Sequence, residues 1–323
     1  MADGILDRDG LGGLGPQIGE GGQARVFHAP GLTLPDAPGP LVVKEYKPGC
    51  APPAGLRRLV AFRAGLDPDR RDRLDQLAAW PLRVVRDGDR TVGVVLPLIP
   101  DTFFQDRVLP GTGRRDLAPR EVQNLLIPPA RARQVGMPTP TVEQRLVICR
   151  DFAAALHFVH QHQLVVGDLN ARNALFRTTG RPAVILVDCD AIRVRGRVAS
   201  QLNAPDWEPP EAQLTQSSDC YKFGLFVLRC LSTGEQRSTT RDPDRADAAL
   251  DEEGRRLLRA TLRAVPAERP TAWDWGSYLQ FRLTGRRLPP RPASPVRATG
   301  TVATTGWVRD PVTGRWTPGR AGP

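Results

Sequence analysis

Residues 165–176 read VVGDLNARNALF, with an acid at Asp168 and an amide at Asn173 five residues apart. Apolar residues bracket both, so the two polar groups share a short loop between segments that are built to be buried. The flanks sharpen this reading. Upstream, Thr141 and Gln144 have the spacing of a capping box, and Val142, Leu146, Cys149, Ala153, Leu156 and His160 then recur at helical spacing, which predicts one buried helix face. Downstream, LF (175–176), the turn TTGRP and AVILVD (183–188) predict a β-hairpin that ends on Asp188. A helix and a hairpin thus pin a polar loop and hold its acid and amide toward one place.

Composition bounds what surrounds this loop. The chain has 323 residues, 40% hydrophobic and 25% charged, as expected of one large globular domain or two small ones. No apolar run approaches the roughly 18–20 residues of a membrane span. The N-terminal MADGILDRDG lacks the apolar core of a signal peptide. Cys50, Cys149, Cys189, Cys220 and Cys230 are odd in number and form no CxxC, which points to reduced thiols in a cytoplasm rather than disulfides or a zinc site. The formal charge of +10 raises nucleic-acid binding as a reading. Against it, the arginines are interspersed with acids, as in LDPDRRDRLDQL, the pattern of a solvated face. Only Lys44, Lys47 and Lys222 are lysines among the 45 basic residues, so a lysine here marks a place where a compact charge matters.

Read in order, the chain shows a glycine-rich QIGEGGQARVF (17–27), a short strand at Val42–Lys44, helical character in GLRRLVAFRAGL and RRDRLDQLAAW, and a strand TVGVVLPLI (91–99) ended by Pro100. Residues 101–140 read as loop-rich, SSDCYKFGLFVLRCL (217–231) as an apolar helix, and the stretch after about 285 as too Pro- and Arg-rich to build a core. Within the tail, PPRP (289–292) has the character of a polyproline docking peptide or a stiff linker, and GWVRDPVTGRW that of a hairpin pairing Trp307 with Trp316.

Four motifs occur in one order. Gly19, Gly21 and Val26 match G-x-G-x-x-G-x-V, a loop that covers nucleotide phosphates, with Ala24 in place of the third glycine. Lys44 ends the apolar VVK, Asp168 and Asn173 have the D-x-x-x-x-N spacing, and Asp188 ends an apolar strand. Phosphoryl transfer needs held phosphates, a metal on oxygen ligands and one group to take the hydroxyl proton. The four motifs supply those parts.

On these residues the chain resembles the protein-kinase-like superfamily over roughly residues 12–285. The resemblance implies an α+β, two-lobed fold, with a β-rich small lobe at 12–99, a helical large lobe at 100–285 and a tail at 286–323. It implies ATP and Mg²⁺ as cofactors, Asp168 as the base, and Lys44 with Gly19, Glu20, Gly21, Gly22, Val26, Leu96 and Leu98 around the nucleotide. Asn173 and Asp188 would hold the metal. The aminoglycoside-phosphotransferase type of small-molecule kinase also carries a G-D-x-x-x-x-N loop. Downstream, however, APDWEPPE resembles A-P-E at Glu211, SSDCYKFG resembles S-D-x-[WY]-S-[LF]-G at Asp219, and VPAERPTA resembles D-P-x-x-R-P at Arg269, the partner of Glu211. This set favours a Ser/Thr protein kinase acting on a protein substrate. More narrowly, V-G-D-x-N-x-x-N followed by D-x-D resembles a bacterial group found beside von Willebrand A-type and PP2C-type phosphatase partners. Neither a membrane nor nucleic acid is expected as a partner, and a cytoplasmic location is.

The chain also departs from that pattern. No Glu lies between residues 46 and 120, so the usual partner of the nucleotide lysine is absent or replaced, with Asp67, Asp69, Asp72, Asp75 or a later carboxylate as candidates. Cys189 and Asp190 replace the Phe and Gly of D-F-G; Asp190 is either a second carboxylate at the metal or a turn residue. Gly167 stands where many kinases carry an Arg that receives an activation-segment phosphate, and Ser200 is the only hydroxyl side chain between Asp188 and Glu211. The segment instead carries Arg193, Arg195 and Arg197, and independence from such a phosphate is expected. His157, His160 and His162 read as structural rather than metal-binding. A nucleotide-binding scaffold without transfer remains open beside an active kinase.

Overall fold

Stretches rich in Val and Leu near the N-terminus pair into a six-stranded sheet in a computed structural model that describes residues 4–51, 55–109, 111–194, 204–232 and 237–289, with the backbone of strands at 307–309 and 316–318. The strands are β1 (Ile5–Asp7), β2 (Gln17–Glu20), β3 (Ala24–His28), β4 (Leu41–Tyr46), β5 (Arg83–Asp87) and β6 (Arg90–Pro97), in the order β1-β5-β6-β4-β3-β2. All neighbours are antiparallel except β1 and β5. β1 lies ahead of residue 12, so the sheet takes in more of the N-terminus than the motifs mark.

Side chains alternate along β4, so Leu41 and Val43 enter a cluster with Leu34 and Val95, while Tyr46 enters another with Leu56, Val60 and Val94. Lys44 has the parity of Tyr46. α1 (Leu56–Ala64) covers this second face, and α2 (Pro68–Leu77) follows, its N-terminus capped by Asp67 on the Arg70 N–H. Arg63, 1% exposed, ties the two helices to the sheet side through Asp75 at 2.6 Å and Asp36 at 2.8 Å. The carboxyl of Asp36 is opposed by burial, yet Arg83 and Arg63 bring it down to about 2.

β7 (Phe104–Val108) and β8 (Arg115–Pro119) form a hairpin, followed by α3 (Pro129–Gln134). This corrects the expectation of loops at 101–140. The hairpin lacks apolar alternation; Arg107 faces Asp116 across the strands at 2.9 Å, and Arg120 donates to Gln105. A sequence pattern tuned to buried faces passes over strands held by charges.

α4 (Val142–Gln161) runs through the middle of the helical part, with the expected capping box. Leu146, Cys149, Ala153, Leu156 and His160 are buried as the spacing requires, whereas Val142, in the first turn, is 53% exposed. β9 (Leu164–Val165), β10 (Ala174–Phe176), β11 (Val184–Leu186) and β12 (Arg193–Val194) follow; β10 pairs with β11 as the expected hairpin, and β12 with β9. α5 (Gln216–Leu231), α6 (Glu252–Thr261) and α7 (Ala272–Thr284) complete the helices. Phe152, Phe223, Phe226 and Trp275 interlock between α4, α5 and α7. The same core takes in Leu59, Leu74, Leu77 and Trp80, so α1 and α2 bridge the sheet to the helices.

In the tail, β13 (Trp307–Arg309) and β14 (Trp316–Pro318) pair with Trp307 opposite Pro318 and Trp316 opposite Arg309. The tryptophans are therefore not directly opposite, which corrects the expected pairing. Residues 290–292 of PPRP, and Arg195, Arg197 and Ser200, lie outside the described residues. Among the described residues no helix is long and apolar enough to cross a membrane.

Candidate active site

The loop from Val166 to Asn173 is anchored from below. Asp219, fully buried near the start of α5, accepts hydrogen bonds from the Val166 and Gly167 N–H groups, both at 2.8 Å, and lies 3.0 Å from His160 Nε2. The His160 ring is thus part of the anchor. Lys222, also on α5, donates to the Gly167 carbonyl at 2.5 Å. Gly167 itself has φ 72, in the left-handed region that side chains rarely adopt, which is a local reason for glycine at that position.

The anchored loop presents Asp168 with both carboxylate oxygens engaged. Asn170 Nδ2 donates to Oδ1 at 3.0 Å, and Asn173 Nδ2 donates to Oδ2 at 3.1 Å and to the Asp168 carbonyl at 2.8 Å. Asn173 Oδ1 is left without a partner among the described residues. The Val187 N–H donates to the Asn173 carbonyl at 3.0 Å, which brings the end of β11, and Asp188 after it, beside the loop. Asp188 has φ 55 and ψ 36, a strained conformation for a non-glycine residue. Its side chain is 57% exposed.

Lys44 reaches this corner from β4. Its Nζ donates to Asp190 Oδ1 at 2.9 Å, Asp190 Oδ2 at 3.0 Å and Asp188 Oδ1 at 3.0 Å. Tyr46 donates to Asp190 Oδ2 at 2.6 Å. Burial works against the Lys44 charge, but the Asp190 and Asp188 carboxylates more than offset it and hold its pKa above the ordinary lysine value. Burial likewise opposes the Asp190 anion, and the Lys44 charge and the Tyr46 hydroxyl outweigh it, so the carboxyl sits below its ordinary value. The Tyr46 hydroxyl is pushed up by burial and by the Asp190 charge.

Asp190 is therefore the main counter-ion of Lys44. The acids considered on the helices lie elsewhere: Asp75 pairs with Arg63, and Asp67 caps α2. Tyr46 and Lys222 are neighbours of the candidate site that the motifs do not single out. The signal for Tyr46 was its parity with Lys44 on β4; that for Lys222 was the rarity of lysine in this chain.

The glycine loop is the β2–β3 turn, with Gly19 opposite Val26 and the Gly21 N–H donating to the Ala24 carbonyl at 2.9 Å. A Cβ at Gly21 or Gly22 would meet nothing within 4 Å, and neither has positive φ. The chain's own packing does not demand glycine there, whereas phosphates drawn close to backbone N–H groups would. Glu20 is taken up by Lys47 at 2.8 Å and Arg25 at 3.5 Å. Leu96 packs on the Tyr46 face of the sheet, and the Leu98 N–H is held by the Pro40 carbonyl at 2.9 Å. Asn173 Oδ1 and the Asp188 carboxylate are hard oxygen donors, suited to a Mg²⁺ that takes only one or two protein ligands and completes its shell with phosphates and water. Among the described residues no group of three or more His, Cys, Asp or Glu could hold a metal alone.

Glu211 and Arg269 meet as a two-pronged pair at 2.7 and 2.8 Å.

Comparison with known proteins finds similarity to protein kinases. Residues 123–265 match the family described as protein tyrosine and serine/threonine kinase. The chain is 24% identical over 236 residues to the protein kinase YegI of Escherichia coli (strain K12), covering 68% of this chain and 31% of that protein. It is 26% identical over 145 residues to a receptor protein kinase-like protein of Arabidopsis thaliana, covering 41% of this chain and 19% of that protein. The matches thus span less than a third of the length of these curated relatives. The matched residues 123–265, which include Asp168, Asn173, Asp188, Glu211 and Asp219, resemble that family.

Proposed function

We propose that the protein transfers the γ-phosphoryl group of ATP, with Mg²⁺, to a Ser or Thr hydroxyl of a protein substrate. In this reading residues 12–99, which hold all of the sheet but β1, are the small lobe of a two-lobed kinase and the helical part (100–285) the large one. The observation that carries it is the convergence of Lys44 with Asp188 and Asp190, 144 and 146 residues away, beside the Asp168–Asn173 loop.

Asp168 takes the proton of the acceptor hydroxyl. Asn170 and Asn173 fix the plane of its carboxylate, each donating to one oxygen and leaving lone pairs for the substrate. Lys44 and the backbone N–H of Gly22 hold the phosphates, since the N–H of Gly21 is taken up by the Ala24 carbonyl. Asn173 and Asp188 would hold the metal, which when bound would neutralise the charge that develops on the transferred group. Gly167 offers no cation to a phosphate on the segment before Glu211, so control falls to partners or to the tail, with a von Willebrand A-type or phosphatase protein the kind of partner proposed.

A second reading, nucleotide binding without transfer, is favoured by one feature: Lys44 is held by Asp190 rather than by a helix Glu. It requires stabilisation by ATP of size RT ln(1 + [L]/Kd) with no phosphate moved. Mass spectrometry after incubation with Mg²⁺ and ATP separates the two. The wild type should gain phosphate on itself or on a generic substrate, and Asp168→Asn should slow this by at least about 100-fold. Equal labelling in both proteins removes Asp168 from the role given to it.

A further inference from the structure

Away from the cleft, a cavity of about 630 Å³ opens between α2, α4, α7 and the turn before β11. Lys44, Asp168 and Asp188 do not line it. Its volume is in the range that holds small organic ligands, about 300–1,000 Å³. Arg70, Arg73, Arg150 and Arg181 line it against two acids, Asp69 and Asp151.

Arg150 shows that this is more than a basic surface. It is 5% exposed, and its Nε and Nη2 both donate to Asp151 Oδ1, at 2.8 and 2.7 Å. Its Nη1 is buried and has no partner. Asp151 cannot turn to it, because its other oxygen accepts from the Ala183 N–H at 2.7 Å. A buried guanidinium N–H without an acceptor is a standing demand for one. At the rim, Arg70 leans on Asp67 at 3.4 Å, while Arg73 and Arg181 are exposed and have no ion pair among the described residues. Trp273, tilted against His157 at 5.1 Å between ring centroids, adds an aromatic wall.

We propose that this cavity binds a small organic phosphate, its phosphate group held by Arg73, Arg150 and Arg181 and its organic part laid against Trp273. Guanidinium forks match the oxygens of a phosphate two at a time, and the aromatic wall accepts a flat or apolar body. The site draws its cations from α2, α4 and the hairpin turn, so a ligand there would join the helix beside the sheet to the helical core. The inference does not depend on whether the cleft transfers phosphate.

The test is calorimetric titration of the full chain with inorganic pyrophosphate at low salt. The variants are Arg73→Ala with Arg181→Ala, and Arg73→Lys with Arg181→Lys. Both positions are exposed, so folding should be retained, and an unchanged melting temperature by circular dichroism checks this. The alanine pair should weaken pyrophosphate binding by at least about tenfold, and the lysine pair should recover part of the loss. Equal pyrophosphate affinity in the wild type and the alanine pair, or no binding at millimolar probe, overturns the proposal.

Discussion

Replacing Asp190 by Asn tests the electrostatic centre of the proposed site without changing its shape. Asp190 is 8% exposed and receives three hydrogen bonds, two from Lys44 and one from Tyr46. Asparagine offers one acceptor and one donor in the same space, so at least one of the three is replaced by two hydrogens facing each other. Lys44, 9% exposed, keeps only Asp188, whose side chain is 57% exposed. Removing one partner of a buried pair costs about 3–5 kcal/mol. The remaining contact to Asp188 puts this case at the low end, about 3 kcal/mol. At roughly 2 °C per kcal/mol for a chain of this size, the melting temperature should fall by about 6 °C. Urea unfolding followed by circular dichroism measures the loss directly, through the midpoint at constant slope. Its pH dependence has a defined sign. The Asp190 carboxyl is held below its ordinary 3.8 in the folded protein, so its contribution is complete above that value and is lost as pH falls through the lower folded one. The gap between wild type and variant should hold constant from about pH 7 to 5 and close in more acid solution. A loss under about 0.5 kcal/mol, the size of a surface change, or a gap that widens with acid, would refute Asp190 as the lysine's counter-ion.

Arg269→Ala should cost about 3–5 kcal/mol in the same unfolding assay, because the fully buried guanidinium binds Glu211 and the carbonyls of Arg263, Ala264 and Ser217. Arg269→Lys should not restore it, since a point charge cannot span that geometry; a loss under about 0.5 kcal/mol would show that the pair is not structural. Lys222→Met removes the donor that holds the Gly167 carbonyl next to Asp168. Steady-state kinetics should show kcat reduced about tenfold, near 1.4 kcal/mol of barrier, at little-changed KM for ATP; an unchanged kcat would mean that the loop is set by Asp219 alone.

What the sequence determined by itself is what local rules govern. The capping box at Thr141 and Gln144 and the buried stripe of α4 arise within a few turns of chain, as does the β10–β11 hairpin, and each stands in the structure. The spacing of Asp168 and Asn173 fits the hydrogen bond between them, which spans five residues. The longer Glu211–Arg269 contact was implied by the family resemblance, in which two short motifs each carry one half. What only the tertiary structure decided is where no local rule reaches. The charge of Lys44 had several acids within plausible range, and the choice of Asp190 depended on β4 and the residues after β11 meeting across 146 positions of chain. The β7–β8 hairpin was hidden because cross-strand charges leave no apolar alternation to read. The four arginines around the cavity come from α2, α4 and the hairpin turn, and in the sequence each was one more arginine among many. Burial gives a charge its energetic weight, and burial is a property of the packed chain, set by which segments close over the group rather than by its neighbours in the sequence.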